Sequence, residues 1–117
     1  MDEIKALRFN AGKLRWELLP VEWQEELVKV FSKGAVKYKP DNWKNSIGTE
    51  DSTQFKQDRL GSALRHIAAY RKGELLDSEV VEGAEHIPTY HLAHAAWNLL
   101  AILYYDLKDN TDAVYSS

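Results

Sequence analysis

Tyr90-His91-Leu92-Ala93-His94-Ala95-Ala96-Trp97-Asn98-Leu99-Leu100-Ala101-Ile102-Leu103-Tyr104-Tyr105 is apolar enough to form a central buried helix, yet it carries His91, His94 and Asn98. Steps of three, four and seven residues place those polar groups in one stripe on a helix. Burying a polar group costs free energy unless it finds a partner. The stripe therefore reads either as a metal or substrate site or as an internal hydrogen-bond network. The helix is predicted from Thr89 to about Lys108.

Two further helices lie upstream. Pro20 sits where a first turn starts, and Trp23, Leu27, Val30 and Phe31 follow at helical spacing. That helix ends at Gly34 or runs to about Tyr38, because Pro40 blocks continuation. Residues Asp41 to Thr53 read as a loop. The second helix begins at Thr53 or Asp58 and reaches Arg71, with Leu60, Leu64, Ile67 and Arg71 on one face and Gly73 as its stop. An acidic connection carrying Glu74, Asp77, Glu79, Glu82 and Glu85 leads to Pro88. With no repeat and no strand run, the chain reads as one all-α domain over residues 1–117. The N-terminal stretch is expected to be irregular, and the Ser-ending tail frayed or an oligomer arm.

Composition narrows the function. The 117 residues are 44% hydrophobic and 28% charged, as in an ordinary globular domain. A net charge of −3 leaves no electrostatic footprint for nucleic acid. The absence of cysteine excludes thiolate metal sites and disulfides. Met1 to Lys5 lack the order of a signal peptide and no apolar run reaches membrane-spanning length, so a cytoplasmic protein without membrane partners is expected. The last helix is apolar nearly all round, through Leu92, Trp97, Leu99, Leu100, Leu103 and Tyr104. Either another subunit covers it, making a homo-oligomer, or the N-terminal stretch and acidic loop do.

Several other residues could carry chemistry. Glu22 and Glu26 fall on the edge of the first helix's apolar face and either hold a divalent cation or complement the helix dipole. On the second helix Arg59, Ala63, His66 and Tyr70 share a flank, with Arg65 on the other side. Gly34-Ala35-Val36-Lys37-Tyr38-Lys39-Pro40-Asp41-Asn42-Trp43 combines lysines, rings and an amide, which suits a nucleotide or, alternatively, a packed loop with aromatic anchors. Lys13, Arg15 and Trp16 repeat the mixture.

In this order the pieces resemble the phage-associated dATP/dGTP diphosphohydrolases (MazZ-like), related to the MazG-like all-α nucleotide pyrophosphatases. The resemblance runs through Gly12-Lys13-Leu14-Arg15-Trp16 with Leu18-Leu19-Pro20, then Gly34-Ala35 with Lys37-Tyr38 and Asn42-Trp43. It continues through Ala63-Leu64-Arg65-His66, Gly73-Glu74 with Asp77 and Glu79, and His91-Leu92-Ala93-His94-Ala95 with Asn98. It implies hydrolysis of a purine deoxynucleoside triphosphate, dGTP or dATP, to the monophosphate and pyrophosphate with Mg²⁺ or Mn²⁺, by a homo-oligomer (a dimer or a tetramer).

MazG-like enzymes hold the metal with Glu-x-x-Glu and Glu-x-x-Asp. Glu22-x-x-Glu25 matches the first pattern in letters, although the helical projection favours Glu22 with Glu26. Glu74-x-x-Asp77 matches the second in letters, whereas its positional counterpart is His91-x-x-His94. The resemblance thus implies Glu22, Glu26, Glu74, Asp77, His91 and His94 as metal ligands. Glu26, His66, Glu74, His91 and His94 become the catalytic candidates, with Glu26 or Glu74 as ligand or base and His91 and His94 as ligands or orienters. Lys13, Arg15, Lys37 and Arg65 would meet the phosphates. Tyr38 or Trp43 would stack on the base, Asn42 would read its edge, and Asn98 would complete the substrate site. Two rivals remain. A small helical protein that binds a nucleotide or a partner without turnover fits the same residues, and a His-Asp phosphohydrolase needs an adjacent His-Asp pair that the chain lacks.

Overall fold

The computed structural model describes residues 12–110. Three helices form the frame: α1 at Val21–Lys37, α2 at Ser52–Arg71 and α3 at His91–Asp109. Short 3₁₀ turns occupy Trp16–Leu18 and Asn42–Lys44. Each boundary has a local cause. Pro20 caps α1 with φ at −60°, its ring already set for the turn that follows. At the other end the Tyr38 N–H closes on the Gly34 carbonyl at 2.8 Å, and Pro40 forbids another turn. Past α2, Gly73 takes φ of +94° and its N–H returns to the Tyr70 carbonyl at 2.9 Å, a conformation glycine adopts at no steric cost. The helices begin and end within two residues of the sequence expectation at their clearer ends. Residues 1–11 and 111–117, where the irregular start and the tail were expected, lie outside the described residues.

α3 packs chiefly on α2 and more lightly on α1. Small side chains make this close approach possible, with Ala63 of α2 and Ala95 and Ala101 of α3 buried. Tyr105 is fully buried at the lower end and stacks on Phe55, ring centroids 4.1 Å apart.

The sequence places Leu60, Leu64, Ile67 and Arg71 on one face of α2, and that face is not the one turned to α3, since Leu60 and Leu64 are exposed. The face turned to α3 is instead Ser52, Arg59, Ala63 and His66. α3 presents its polar stripe to α2, and buried polar groups must be met by polar partners, so the mixed flank of α2 turns inward.

The acidic connection is held at both ends. The Asp77 N–H donates to the Thr89 carbonyl at 2.8 Å, the His91 N–H to the Leu75 carbonyl at 2.9 Å, and Leu76 bridges Tyr90 antiparallel. Between these bonds Val81 and Ala84 are buried, and Gly83 (φ +91°) passes so near Val36 that a Cβ there would sit 3.3 Å from Cγ1. The loop thereby covers α1. Leu92, Leu99, Leu100 and Leu103 of α3 stay exposed, so neither loop nor helices cover that side. No helix of the described residues is long and apolar enough to cross a membrane.

Candidate active site

Where α2, the loop and α3 meet, His66, Asp77 and His94 converge, with potential ligand atoms all within 4.8 Å of one another. Asp77 Oδ2 lies 3.4 Å from His94 Nε2 and 3.9 Å from His66 Nδ1. The two imidazoles stack almost parallel, their centroids 4.6 Å apart. Around them, His66 Nδ1 meets His91 Nδ1 at 2.9 Å, and His94 Nε2 meets Thr89 Oγ1 at 2.8 Å. His91 Nε2 stands 3.6 Å from Glu74 Oε2, too far for a direct hydrogen bond.

Electrostatics favour ligand-ready imidazoles. Burial pushes His94 down to about 4, helped by neighbouring His66 and Lys33 and opposed by Asp77. Burial also lowers His66, again against Asp77. For Asp77 burial alone would raise the carboxyl, but the Glu79 backbone N–H and the facing imidazoles outweigh it and hold it below the usual carboxylate range. At neutral pH the cluster is one carboxylate and two neutral imidazoles. In the His66–His91 contact one ring nitrogen must donate and the other accept, so two nitrogens that both carried a proton there would repel.

The cluster borders a cleft of about 720 Å³. Of the residues singled out in the sequence, Lys37, Tyr38, Asn42, Trp43, Arg65, His66, His94 and Asn98 all line it. Asn98 is buried, its Nδ2 donating to the His94 carbonyl at 2.8 Å and its Oδ1 accepting from Arg59 Nη1 at 3.2 Å. Trp43 sits at the centre of an aromatic set, edge-on to Phe31, Trp97 and Tyr104.

Other sequence candidates lie elsewhere. Lys13 and Arg15 are exposed and do not line the cleft, and Arg15 pairs with Glu17 at 2.8 Å. Glu22 and Glu25 are exposed on α1. Glu26 is half-buried and accepts from Lys29 at 2.9 Å through Oε1, while its Oε2 is buried without a partner. Asp77, matched in letters with Glu74, groups with the histidines instead, and Glu74 is mostly exposed beside His91.

Lys33 and Thr89 were not among the sequence candidates, and Arg59 and Glu79 were singled out there without a role. Lys33 is only 6% exposed, donates to the Glu79 carbonyl at 2.8 Å and lines the cleft. Lys37 ion-pairs with the Glu79 carboxylate. Helical spacing was the available signal for the lysines, since Lys33 and Lys37 follow the core residue Val30 at three and seven residues. Nothing in the sequence marked Thr89 or the Glu79 carbonyl.

Comparisons with curated proteins and with solved structures yield no match in either set. A family model described as "dATP/dGTP diphosphohydrolase, N-terminal" matches residues 3–113, nearly the whole chain. With an all-α fold and a cleft that joins basic, aromatic and metal-ligating side chains, the chain belongs to the dATP/dGTP diphosphohydrolase family, in the part described as N-terminal.

Proposed function

We propose that the chain hydrolyses purine deoxynucleoside triphosphates, dGTP and dATP, to the monophosphate and pyrophosphate, with a divalent cation held by His66, Asp77 and His94. The observation that carries this reading is the meeting of that cluster with a cleft lined by Lys33, Lys37, Arg65, Trp43 and Asn42. The donor set fits a cation in number and protonation state: one ionised carboxylate and two imidazoles held neutral. Two nitrogens and one oxygen depart from the all-oxygen shell that Mg²⁺ prefers, so a first-row ion such as Mn²⁺ is the better match. Bound there, the cation would polarise phosphate oxygens and acidify a water.

The remaining work falls to the chain's own groups. Lys33 and Lys37, now satisfied by Glu79, can exchange that partner for phosphate oxygens and neutralise charge developing there. Arg65 reaches the same cleft with a bidentate fork. Trp43 or Tyr38 offers a ring to the base, and Asn42 an amide to its edge. His91 holds the orientation of His66 through the contact between their Nδ1 atoms, so a cation would take His66 through Nε2 or displace His91 to reach the Nδ1 that faces Asp77.

The test has two arms. Purified protein is expected to release pyrophosphate from dGTP or dATP with Mn²⁺ or Mg²⁺, and failure with every purine substrate and both ions overturns the activity. Separately, Mn²⁺ at a hundredfold excess over its Kd is expected to stabilise the protein by about 2.7 kcal/mol, raising Tm by several degrees. Asp77→Asn should abolish that rise while leaving the metal-free Tm nearly unchanged. An identical Mn²⁺-induced rise in the variant removes Asp77 from the cation site. Tight nucleotide binding without turnover would return the chain to a non-catalytic nucleotide-binding role.

A further inference from the structure

Lys33 and Lys37 stand one turn apart on α1, so their side chains share a face. Both line the cleft, and a single residue of the loop answers both. The Glu79 carbonyl accepts from Lys33 at 2.8 Å, and the Glu79 carboxylate pairs with Lys37. The N–H of the same residue donates to Asp77 Oδ1 at 2.7 Å, so Glu79 links the basic wall of the cleft to the metal-ligating cluster.

The compensation is incomplete. Lys33 is buried, yet its hydrogen bond goes to a neutral carbonyl, and among the described residues no carboxylate pairs with it. A cation withdrawn from water costs free energy until an anion meets it. Lys37 has its anion, but the two side chains keep 40% and 45% of their surface exposed, where an ion pair is weak and exchangeable. Two ammonium groups thus share one carboxylate, and that carboxylate belongs to the wall of the cleft. A phosphate group brings more negative charge and more acceptor oxygens than a carboxylate, which suits both lysines at once.

We propose that the Glu79 carboxylate is a built-in competitor for the substrate's phosphates: it holds Lys37 while the cleft is empty, and a polyphosphate binds by displacing it. This rests on the nucleotide-hydrolysing reading above and adds to it a loop residue that limits how tightly substrate and pyrophosphate are held. After cleavage the carboxylate returns to Lys37, which favours loss of the pyrophosphate. The Glu79→Gln variant removes the charge and keeps the backbone contacts to Lys33 and Asp77.

Inorganic pyrophosphate is the probe, titrated into the full chain in EDTA at low salt and followed by ³¹P NMR. Glu79→Gln should lower its Kd about two- to fivefold, the range that a half-exposed ion pair supports. Glu82→Gln makes the same charge change at an exposed residue of the same loop and should leave the Kd unaltered. In a Lys37→Gln background the Glu79 substitution should bring no gain. An unchanged or higher Kd in Glu79→Gln, an equal gain in Glu82→Gln, or a gain that survives the loss of Lys37 overturns the competitor. So does the failure of pyrophosphate to bind either protein. The Mn²⁺-induced change in Tm should be the same in Glu79→Gln as in the unaltered protein, and a smaller one would make Glu79 a cation ligand and overturn this role. None of these measurements needs turnover. A lower Kd in a protein that releases no pyrophosphate from dGTP or dATP overturns the hydrolysis and leaves the competitor standing.

Discussion

His94 is the residue whose ionisation most directly tests how the site is built. Only 15% of its side chain is exposed, and Asp77, His66, His91 and Lys33 face it from the loop, α2, α3 and α1. An unfolded imidazole takes its proton near 6.5, the folded one only near 4. Between those values the unfolded chain binds more protons, so this contribution to stability is complete above pH 6.5 and is lost as pH falls towards 4. The loss amounts to about 3 kcal/mol for this group alone. Urea unfolding in EDTA at pH 7.5, 5.5 and 4.5 should follow that slope, and His94→Gln should flatten it. A profile already flat in the unaltered protein would show that His94 is not held neutral. Individual site residues were legible in the sequence by type and spacing, and their grouping was not. His94 was visible in its stripe and Asp77 in a letter match with Glu74, yet they meet only because Thr89 and Leu75 carbonyls clamp the loop ends. Bonds between backbones twelve and sixteen residues apart leave no mark in side-chain pattern.

At the scale of elements, the lower half of α3 organises the turn that carries Asn42 and Trp43. The Tyr105 hydroxyl donates to the Trp43 carbonyl and accepts from the Ser46 N–H at 3.1 Å. Asp109 accepts from the Gly48 N–H at 2.9 Å, from the Ser52 hydroxyl and from Lys56 at 3.1 Å, so it ties the start of α2 to the end of α3. Tyr105→Phe keeps the stack on Phe55 but leaves a part-buried carbonyl and N–H without this partner. The expected cost is about 1–3 kcal/mol in chemical denaturation, with a larger rise in KM than fall in kcat, because the turn lines the cleft rather than holding the reacting groups. An unchanged KM would separate the turn from substrate binding. The helices were legible because Pro20, Pro40 and Gly73 punctuate the chain with residues of restricted or special backbone geometry. The facing of α2 was not. Its leucines mark the most apolar side, yet helices in contact satisfy polar groups first, and α3 offered His91, His94 and Asn98.

For the molecule as a whole, apolar surface is left over. Leu60 and Leu64 on α2 and Leu92, Leu99, Leu100 and Leu103 on α3 are all between 41% and 57% exposed. A second copy is the cover expected for them, since large exposed apolar side chains gathered on helices mark association sites. Light scattering is expected to report a dimer or tetramer, and replacing Leu60 and Leu64 together by Glu should shift it to a smaller species without unfolding. A monomer in the unaltered protein would contradict this. The clamped loop has a different consequence. Asp77 stands just inside one clamp and the helix bearing His94 just outside the other, so chain length between them is uncoupled from the position of either. Residues 85–88, beyond the Glu79 contacts and past buried Val81 and Ala84, form a stretch where segments can be lengthened or exchanged while the candidate site stays where it is. The protein thus carries a natural seam, a place where its surface can diversify without retuning its chemistry.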